Sequence, residues 1–207
     1  MAKVVIIDYG MGNLCSVKQA VSAVGGDAAV TSDPGEVAKA RALILPGVGN
    51  FGQCLENLAK LDLKDILINR LDAGVPYLGI CLGYQALFEG SEEALTVKGL
   101  GVLPGQVVRF PATGLKIPHM GWNTINFKQY CPLFEGVEQG SYFYFVHSYY
   151  VEPKDDSAVV TSTEYGVSFA SSIHLDNIFA CQFHPEKSQK LGLKVLKNFL
   201  RLAGVQV

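Results

Sequence analysis

The 207-residue sequence lacks a marked excess of either charge and has no long apolar run. Its 17 basic and 19 acidic side chains leave a net charge of −2. A balance this close to neutral gives no electrostatic indication of a nucleic-acid or anionic-lipid partner. The apolar stretches are too short to span a bilayer, and the first of them is too short for a signal peptide. These absences predict a cytoplasmic protein without membrane or nucleic-acid partners.

The cysteines lack the spacings of metal sites and disulfide frameworks. They are scattered and odd in number: Cys15, Cys54, Cys81, Cys131 and Cys181. No Cys-x-x-Cys pair occurs, so the sequence suggests no zinc site and no disulfides, and nothing in it indicates a metal or cofactor. A reducing compartment fits this usage. Because Cys15, Cys54 and Cys181 fall within apolar patterns, we expect them to be packing residues.

The sequence also lacks linkers, internal repeats and the polar bias of disordered chains. Apolar residues make up 49% of it and charged residues only 17%, which supports a compact core. No Gly/Ser-rich or Pro-rich stretch divides it. We therefore expect a single domain over residues 1–207.

Strand and helix patterns alternate in the first half of the chain. Strands are expected at 3–8, 28–31, 42–45 and 75–80. Helical patterns follow them, beginning near Leu14, at 32–34, at Phe51 with a break near 61–62, and at Tyr84. Such alternation predicts a mainly parallel sheet covered by helices on both faces.

The second half has few helical patterns before the last helix, which is expected to begin at Ser188. Strands are expected at 106–110, 142–151, 158–163 and 167–173, separated by Gly, Pro and Asp residues. This pattern predicts a partly antiparallel extension of the same sheet.

Cys81 lies at the end of an apolar strand pattern and has a glycine two residues away on each side, Gly79 and Gly83. A strand, this turn and a following helix form the layout of a nucleophile elbow, with Cys where hydrolases more often carry Ser. The glycines suit a crowded, strained turn, and the start of a helix favours the thiolate. A lone cysteine is more often structural, but the paired glycines favour a nucleophile.

A candidate base follows another apolar strand pattern near the C-terminus. His184 comes just after residues 178–183, and Glu186 lies two residues further on, beyond Pro185. In open parallel sheets, active sites form at the carboxyl ends of the strands, so the sheet can bring His184 to Cys81. Glu186 would orient the imidazole. Taken alone, this segment is equally consistent with a surface turn.

With a cysteine elbow and a distant His-x-Glu, the chain resembles the class I glutamine amidotransferases over almost its whole length. The resemblance implies an α/β fold, a flavodoxin-like three-layer sandwich whose mainly parallel central sheet has an antiparallel extension. Within the family it is most similar to the glutaminase subunits of histidine biosynthesis. That narrower match rests on Pro46-Gly47-Val48-Gly49-Asn50-Phe51, His119-Met120-Gly121-Trp122-Asn123 and Tyr144-Phe145-Val146-His147-Ser148-Tyr149-Tyr150.

The resemblance implies hydrolysis of L-glutamine through a thioester on Cys81, with His184 as acid and base and Glu186 as its orienting group. An oxyanion hole is expected at Val48, Gly49 and Leu82. Val48 resists the positive φ that glycine accepts, so we expect its amide to point away at rest and to turn inward in the active form. His147 is expected to be structural. Glutamine binding is expected at Gly47, Gln85, Ser148, Tyr149 and Tyr150.

The resemblance also implies a partner. Released ammonia would pass to a (β/α)8-barrel cyclase subunit in a heterodimer, and that subunit would form imidazole glycerol phosphate and an aminoimidazole carboxamide ribotide. A dry passage is expected, because ammonia in neutral water is mostly protonated and unreactive. The positions that match the family's partner-facing residues are Asn13, Trp122, Tyr144 and Lys187.

Four alternatives remain open at this point. A dinucleotide site after the first strand would use Gly10 and Gly12, but Cys15 occupies the place of the third glycine. A stand-alone γ-glutamyl cysteine hydrolase would share the same elbow. The remaining alternatives are a scaffold with a degenerate site and the glutaminase of another pathway.

Overall fold

A computed structural model describes residues 4–112 and 114–207. Residues 1–3, which include Lys3 of the first expected strand and the start of the expected domain, lie outside the described residues. The strands are β1 (Val4–Ile7), β2 (Ala28–Thr31), β3 (Ala42–Leu45), β4 (Tyr77–Ile80), β5 (Gly90–Ser91), β6 (Gly105–Arg109), β7 (His119–Thr124), β8 (Asn126–Phe127), β9 (Tyr142–His147), β10 (Tyr149–Pro153), β11 (Val159–Glu164), β12 (Ser168–Leu175) and β13 (Ile178–Cys181). The helices are α1 (Leu14–Ala23), α2 (Pro34–Ala38), α3 (Phe51–Lys60), α4 (Lys64–Asp72), α5 (Leu82–Gln85) and α6 (Gln189–Leu202).

The central sheet has a parallel half in the order β2-β1-β3-β4-β13. This is the strand order of flavodoxin-like folds, in which ligands bind beyond the carboxyl ends of the strands. The prediction of a mainly parallel α/β sheet is confirmed. The chain returns from its far end to place β13 directly beside β4, which brings two distant segments to the same edge.

Alternate residues of the parallel strands face two separate cores, as burial on both sides of a sheet requires. On one side, Val5 and Ile7 pack with residues of α2, α3 and α4. On the other, Val4 and Ile6 pack with residues of α1 and α6. The three-layer arrangement follows from this pattern.

The antiparallel extension is confirmed, with β12, β10 and β6 continuing the sheet beyond β13. The expectation of one strand over 142–151 is wrong, because Ser148 separates β9 from β10. β10 belongs to the central sheet, whereas β9 pairs with β7 in a two-stranded sheet of its own. The apolar pattern runs through Ser148 without interruption, so it does not mark the change of sheet.

Several local features bear on the expectations from the sequence. The break in the long helix is confirmed at Asp62, which has φ 56°. Cys15 is exposed rather than packed, whereas Cys54 and Cys181 are buried. All five cysteines are free thiols. Within residues 4–112 and 114–207, we find no helix with the length and apolarity to cross a membrane, and no cluster of three or more metal-ligating side chains.

Candidate active site

Cys81 occupies a sharp turn between β4 and α5. Its backbone has φ 53° and ψ −101°, a conformation that side-chain-bearing residues rarely adopt. Its N–H donates to the Cys181 carbonyl of β13 at 2.8 Å, which ties the turn to the neighbouring strand. Strained backbone of this kind persists only where the surroundings hold it, and it is concentrated at functional sites.

The glycines around the elbow are required by close packing. A side-chain carbon on Gly79 would lie 2.7 Å from the Gly83 carbonyl oxygen, and one on Gly83 would collide with the Leu45 carbonyl of β3. Both positions therefore need glycine, because the two ends of the elbow pack against each other and against the backbone of β3. The helix that follows was expected to begin at Tyr84, but α5 begins at Leu82, directly after the cysteine, and has four residues. A single turn has a small dipole, so other groups must stabilise the thiolate.

His184 lies just past β13 and forms a pair with Glu186. The His184 Nδ1 to Glu186 Oε1 distance is 2.8 Å, and both side chains are 1% exposed. The backbone holds the ring in place, because the His184 N–H donates to the Tyr144 carbonyl at 2.9 Å. With Nδ1 engaged by the carboxylate, the buried Nε2 is the nitrogen left for chemistry.

The charges around His184 favour its imidazolium form. Burial lowers the pKa of His184, but the neighbouring Cys81 thiolate and the Glu186 carboxylate outweigh it and raise the pKa to about 10. Two anions in a poorly solvated site stabilise the cation between them. β13 pairs with β4 so that Cys181 lies opposite Ile80, which puts the segments that carry His184 and Cys81 side by side. The arrangement suits a thiolate–imidazolium pair.

A cavity of about 250 Å³ opens beside the Cys81 thiol, a volume suited to a small metabolite. It lies between the elbow, the segment after β3 and the β9–β10 junction. The residues that line it are Val48, Gly49, Cys81, Leu82, Gln85, Glu93, Pro118, Val146, His147, Ser148 and Tyr149.

Three of the five residues expected to bind glutamine line this cavity, namely Gln85, Ser148 and Tyr149. Gly47 and Tyr150 do not. Gly47 packs against the elbow, where a side-chain carbon would lie 2.6 Å from the Tyr9 hydroxyl. The Tyr150 ring packs against Phe110 in a tilted arrangement, with ring centroids 4.8 Å apart, and its hydroxyl donates to Glu152 Oε1 at 3.1 Å.

Glu93 and Pro118 line the cavity without having been singled out from the sequence. The Glu93 carboxylate accepts the Phe51 N–H at 2.7 Å, at the start of α3. Glu93 stands in a segment without strand or helix periodicity, and no local pattern marks it.

The N–H groups expected to form the oxyanion hole, at Val48, Gly49 and Leu82, do not converge on one point in this structure. The Leu82 N–H donates to the Gly47 carbonyl at 3.4 Å, so that carbonyl occupies the donor an oxyanion would need. In a trans peptide the C=O and N–H point in opposite directions. The Val48 N–H, which shares this peptide with the Gly47 carbonyl, therefore points away from Leu82. Gly49 has φ 120°, and Val48, between Gly47 and Gly49, is half-buried.

His147, which lines the cavity, belongs to a hydrogen-bonded network of neutral rings. His119 Nδ1 lies 2.9 Å from His147 Nε2, and His147 Nδ1 lies 2.8 Å from the Tyr149 carbonyl. Since that carbonyl only accepts, His147 Nδ1 carries the proton and its Nε2 accepts from His119. Burial lowers the pKa of His119 to about 4 and that of His147 to about 3. Both rings stay neutral at physiological pH, which supports the structural role expected for His147.

Three of the four residues expected to face a partner lie together, and the fourth, Asn13, contacts the carboxylate of the His184–Glu186 pair. Trp122 of β7 and Tyr144 of β9 are paired across the two-stranded sheet, with ring centroids 6.1 Å apart. Lys187 Nζ lies 5.8 Å from the Tyr144 ring centroid. Asn13 Nδ2 donates to Glu186 Oε1 at 3.5 Å. Trp122 is 46% exposed, and Met120 beside it on β7 is 62% exposed.

Comparison with known sequences gives a consistent result. A family model described as glutamine amidotransferase class-I matches residues 5–203. The imidazole glycerol phosphate synthase subunit HisH of Aquifex aeolicus is 52% identical over 202 residues, which cover 97% of each chain. The protein of the same name from Moorella thermoacetica is 52% identical over 199 residues, which cover 96% of this chain and 94% of that relative.

Solved structures agree on the fold. The structure of PurLQS from Thermotoga maritima matches with a TM-score of 0.76 at 19% identity, over 97% of this chain and 98% of that one. At this identity the likeness concerns the fold alone.

Proposed function

The chain belongs to the class I glutamine amidotransferase family, and from this premise we propose how its site works. Its function is that of the glutaminase subunit of imidazole glycerol phosphate synthase, which hydrolyses glutamine and supplies ammonia to a cyclase partner. One observation carries the chemistry: a strained Cys81 lines a cavity of metabolite size, and a buried His–Glu pair follows the neighbouring strand β13.

In the first half-reaction, the Cys81 thiolate attacks the side-chain amide carbon of glutamine. The His184 imidazolium gives its Nε2 proton to the departing nitrogen, so that ammonia leaves and a γ-glutamyl thioester remains. In the second half-reaction, the now neutral His184 takes a proton from water, and the resulting hydroxide displaces the thiolate to release glutamate. Glu186 holds the ring and stabilises its charged form throughout.

Transition-state stabilisation depends on a change in the segment after β3. The tetrahedral intermediate needs the Leu82 N–H and a second donor, for which the Val48 N–H is our candidate. Rotation of the Gly47–Val48 peptide would release the Leu82 N–H and turn the Val48 N–H toward the cavity in one step. The hydrogen bond between Leu82 and the Gly47 carbonyl supports this view of the resting state.

The partner is proposed to be a (β/α)8-barrel subunit that docks on the surface formed by Asn13, Trp122, Tyr144 and Lys187. An exposed Trp with a Met beside it supplies the apolar anchor that stable interfaces use. This surface adjoins His184 and Glu186, so docking there would enclose the point at which ammonia is released. The chain is proposed to act as one domain in the cytoplasm.

The deciding experiment measures glutamate release by the purified chain alone, with the cyclase subunit, and with that subunit plus its nucleotide substrate. We expect low activity alone and stimulation of several powers of ten in the full mixture, because the oxyanion donors are unassembled at rest. High activity toward γ-glutamyl peptides without a partner would instead identify a stand-alone cysteine hydrolase. Equal glutamine hydrolysis in all three mixtures would contradict the proposed dependence on a partner.

A further inference from the structure

Gln182 is a fully buried polar side chain that the mechanism above does not use. It lies between Cys181, the last residue of β13, and Phe183, both of which are apolar and buried. Its side-chain Nε2 lies 3.5 Å from the Cys81 sulfur, within hydrogen-bond distance for a sulfur acceptor. Its backbone N–H donates to the Ser171 carbonyl at 2.9 Å, which holds the residue at the sheet edge.

The orientation of the Gln182 amide is determined by its neighbours. Gln85 Nε2 lies 2.9 Å from the Tyr149 carbonyl and 3.0 Å from Gln182 Oε1. A backbone carbonyl can only accept, so the NH₂ group of Gln85 must face Tyr149. Its second hydrogen then points to Gln182, whose oxygen accepts it. The NH₂ group of Gln182 is thereby directed at the sulfur.

A donor at this place acts on the charged form of the nucleophile. Hydrogen bonds to an anion are stronger than those to a neutral group, so an amide donor favours the thiolate over the thiol. The Val146 carbonyl also lies near the sulfur, at 3.9 Å, and because a carbonyl can only accept, this contact favours the thiol. Because α5 is a single turn, its dipole offers the thiolate little support. Gln182 is a buried, neutral donor in contact with the sulfur.

We propose that Gln182 is a positioning residue, which holds the Cys81 sulfur toward the cavity and stabilises its thiolate through a hydrogen bond oriented by Gln85 and Tyr149. The inference rests on the proposed function of Cys81 as nucleophile. The inference adds that the segment after β13 contributes twice to the site: Gln182 contacts the sulfur, and His184, two residues later, exchanges the proton.

The test follows alkylation of Cys81 by iodoacetamide as a function of pH, in a Cys15→Ser background that removes the exposed cysteine. Gln182→Met keeps the side-chain length but removes the donor. Gln182→Asn keeps a buried amide that is one methylene too short to reach the sulfur. We expect the pH midpoint of alkylation to rise by about one unit in both variants, the size of one lost charge-assisted hydrogen bond.

Two controls separate a direct contact from general damage. Gln106→Met changes an exposed glutamine of β6 and should leave the midpoint where it is. Gln85→Met removes the amide that donates to Gln182 Oε1 but leaves the Gln182 NH₂ group within reach of the sulfur. It should therefore move the midpoint of alkylation less than Gln182→Met does. Thermal unfolding of each variant identifies any that fails to fold, and the remaining Gln182 variant then decides.

In the complex with the cyclase subunit, kcat/KM for glutamine should fall about tenfold near pH 7 in Gln182→Met and recover at higher pH, where the thiol ionises unaided. A merely structural role would lower the rate equally at every pH. An unchanged alkylation midpoint in a folded Gln182 variant overturns the proposal. Because alkylation needs neither glutamine nor partner, this result stands even if the glutaminase assay of the parent chain fails.

Discussion

Two parts of the active site differ in how completely they are assembled. The assembled wall, at the ends of β4 and β13, holds Cys81, which lines the cavity, and the buried pair of His184 and Glu186, which is hydrogen-bonded at 2.8 Å and is not among the lining residues. The unassembled wall, residues 47–49 after β3, is buried at Gly47, partly buried at Val48 and exposed at Gly49, and the Gly47 carbonyl accepts the Leu82 N–H. The groups that make and break bonds are in place, whereas the donors that would stabilise the transition state are not.

This difference means that Cys81 can be reactive in the free chain while glutamine is hydrolysed slowly. Cys81 and the His184–Glu186 pair are in position without a partner, but without oxyanion donors the tetrahedral intermediate is poorly stabilised. A glutaminase that has its nucleophile and base in position but lacks its oxyanion donors can bind glutamine without hydrolysing it when no partner is there to use the ammonia. The following predictions test that division, beginning with the largest expected effect.

Cys81→Ala removes the nucleophile from the assembled wall. Glutamine-dependent turnover in the full complex should fall by about 10⁴-fold or more, since no other group can form the thioester. Glutamate release measured by coupled assay checks this. Cys15→Ser, at an exposed cysteine, should keep the parent rate. Ordinary turnover by the Cys81→Ala protein would end the assignment.

Glu186→Gln keeps the shape of the assembled wall but removes its carboxylate. Turnover should fall by about 10²–10³-fold, less than for the nucleophile, because the ring loses its orienting charge. The pKa of His184 is raised to about 10, so its charge pairing stabilises the folded chain fully below the ordinary imidazole value and is lost as the pH rises toward 10.

Without the Glu186 charge, the pKa of His184 should fall, and the alkaline limb of the pH–rate profile should move to lower pH. Glu93→Gln, at a carboxylate that lines the cavity but does not contact His184, gives a comparison for this measurement. An alkaline limb that stays in place in Glu186→Gln would show that this carboxylate does not set the charge of the ring.

Trp122→Ala changes the docking surface and neither wall. Binding to the cyclase subunit should weaken by about 10–100-fold, the usual loss for a central aromatic anchor, as measured by isothermal titration calorimetry. The alkylation rate of Cys81 in the free chain should not change. Tyr130→Ala removes a tyrosine that is 81% exposed and lies outside the predicted surface, and it should bind normally. Equal binding by both variants would place the interface elsewhere.

Val48→Gly acts on the unassembled wall. Glycine lowers the cost of the inward conformation, so glutaminase activity without partner should rise by about tenfold while the stimulated rate stays similar. Val48→Ala keeps the β-carbon and should give a smaller rise. Unstimulated activity that stays at the parent level in both variants would mean that Val48 does not limit assembly of the oxyanion hole.

The parts of the site that were predicted from the sequence are those with local signals. The glycines around Cys81 report the packing of the elbow, and strand patterns that end at Cys81 and His184 report a shared sheet edge. The strand order then places β13 beside β4. These signals suffice because parallel strands bring their carboxyl ends together regardless of their separation along the chain.

The parts that were missed depend on tertiary contacts. Gln182 looks like an interruption of an apolar strand, and its value lies in a sulfur 101 residues away. Glu93 enters the cavity from a segment without periodicity. The sheet formed by β7 and β9 was missed because β9 and β10 read as one strand, and pairing partners are not encoded in the period of the pattern.

Strand β9 serves two surfaces at once. The Tyr144 side chain belongs to the proposed docking surface, while the Tyr144 carbonyl receives the His184 N–H at 2.9 Å and its own N–H donates to Ser188 at 3.0 Å. The same short ribbon therefore has to match the proposed neighbour with its side chains and to fix the position of an imidazole with its backbone. Lineages can therefore exchange side chains on this ribbon as the two subunits diverge, but an insertion or deletion within it would displace the histidine, so its length should be inherited unchanged.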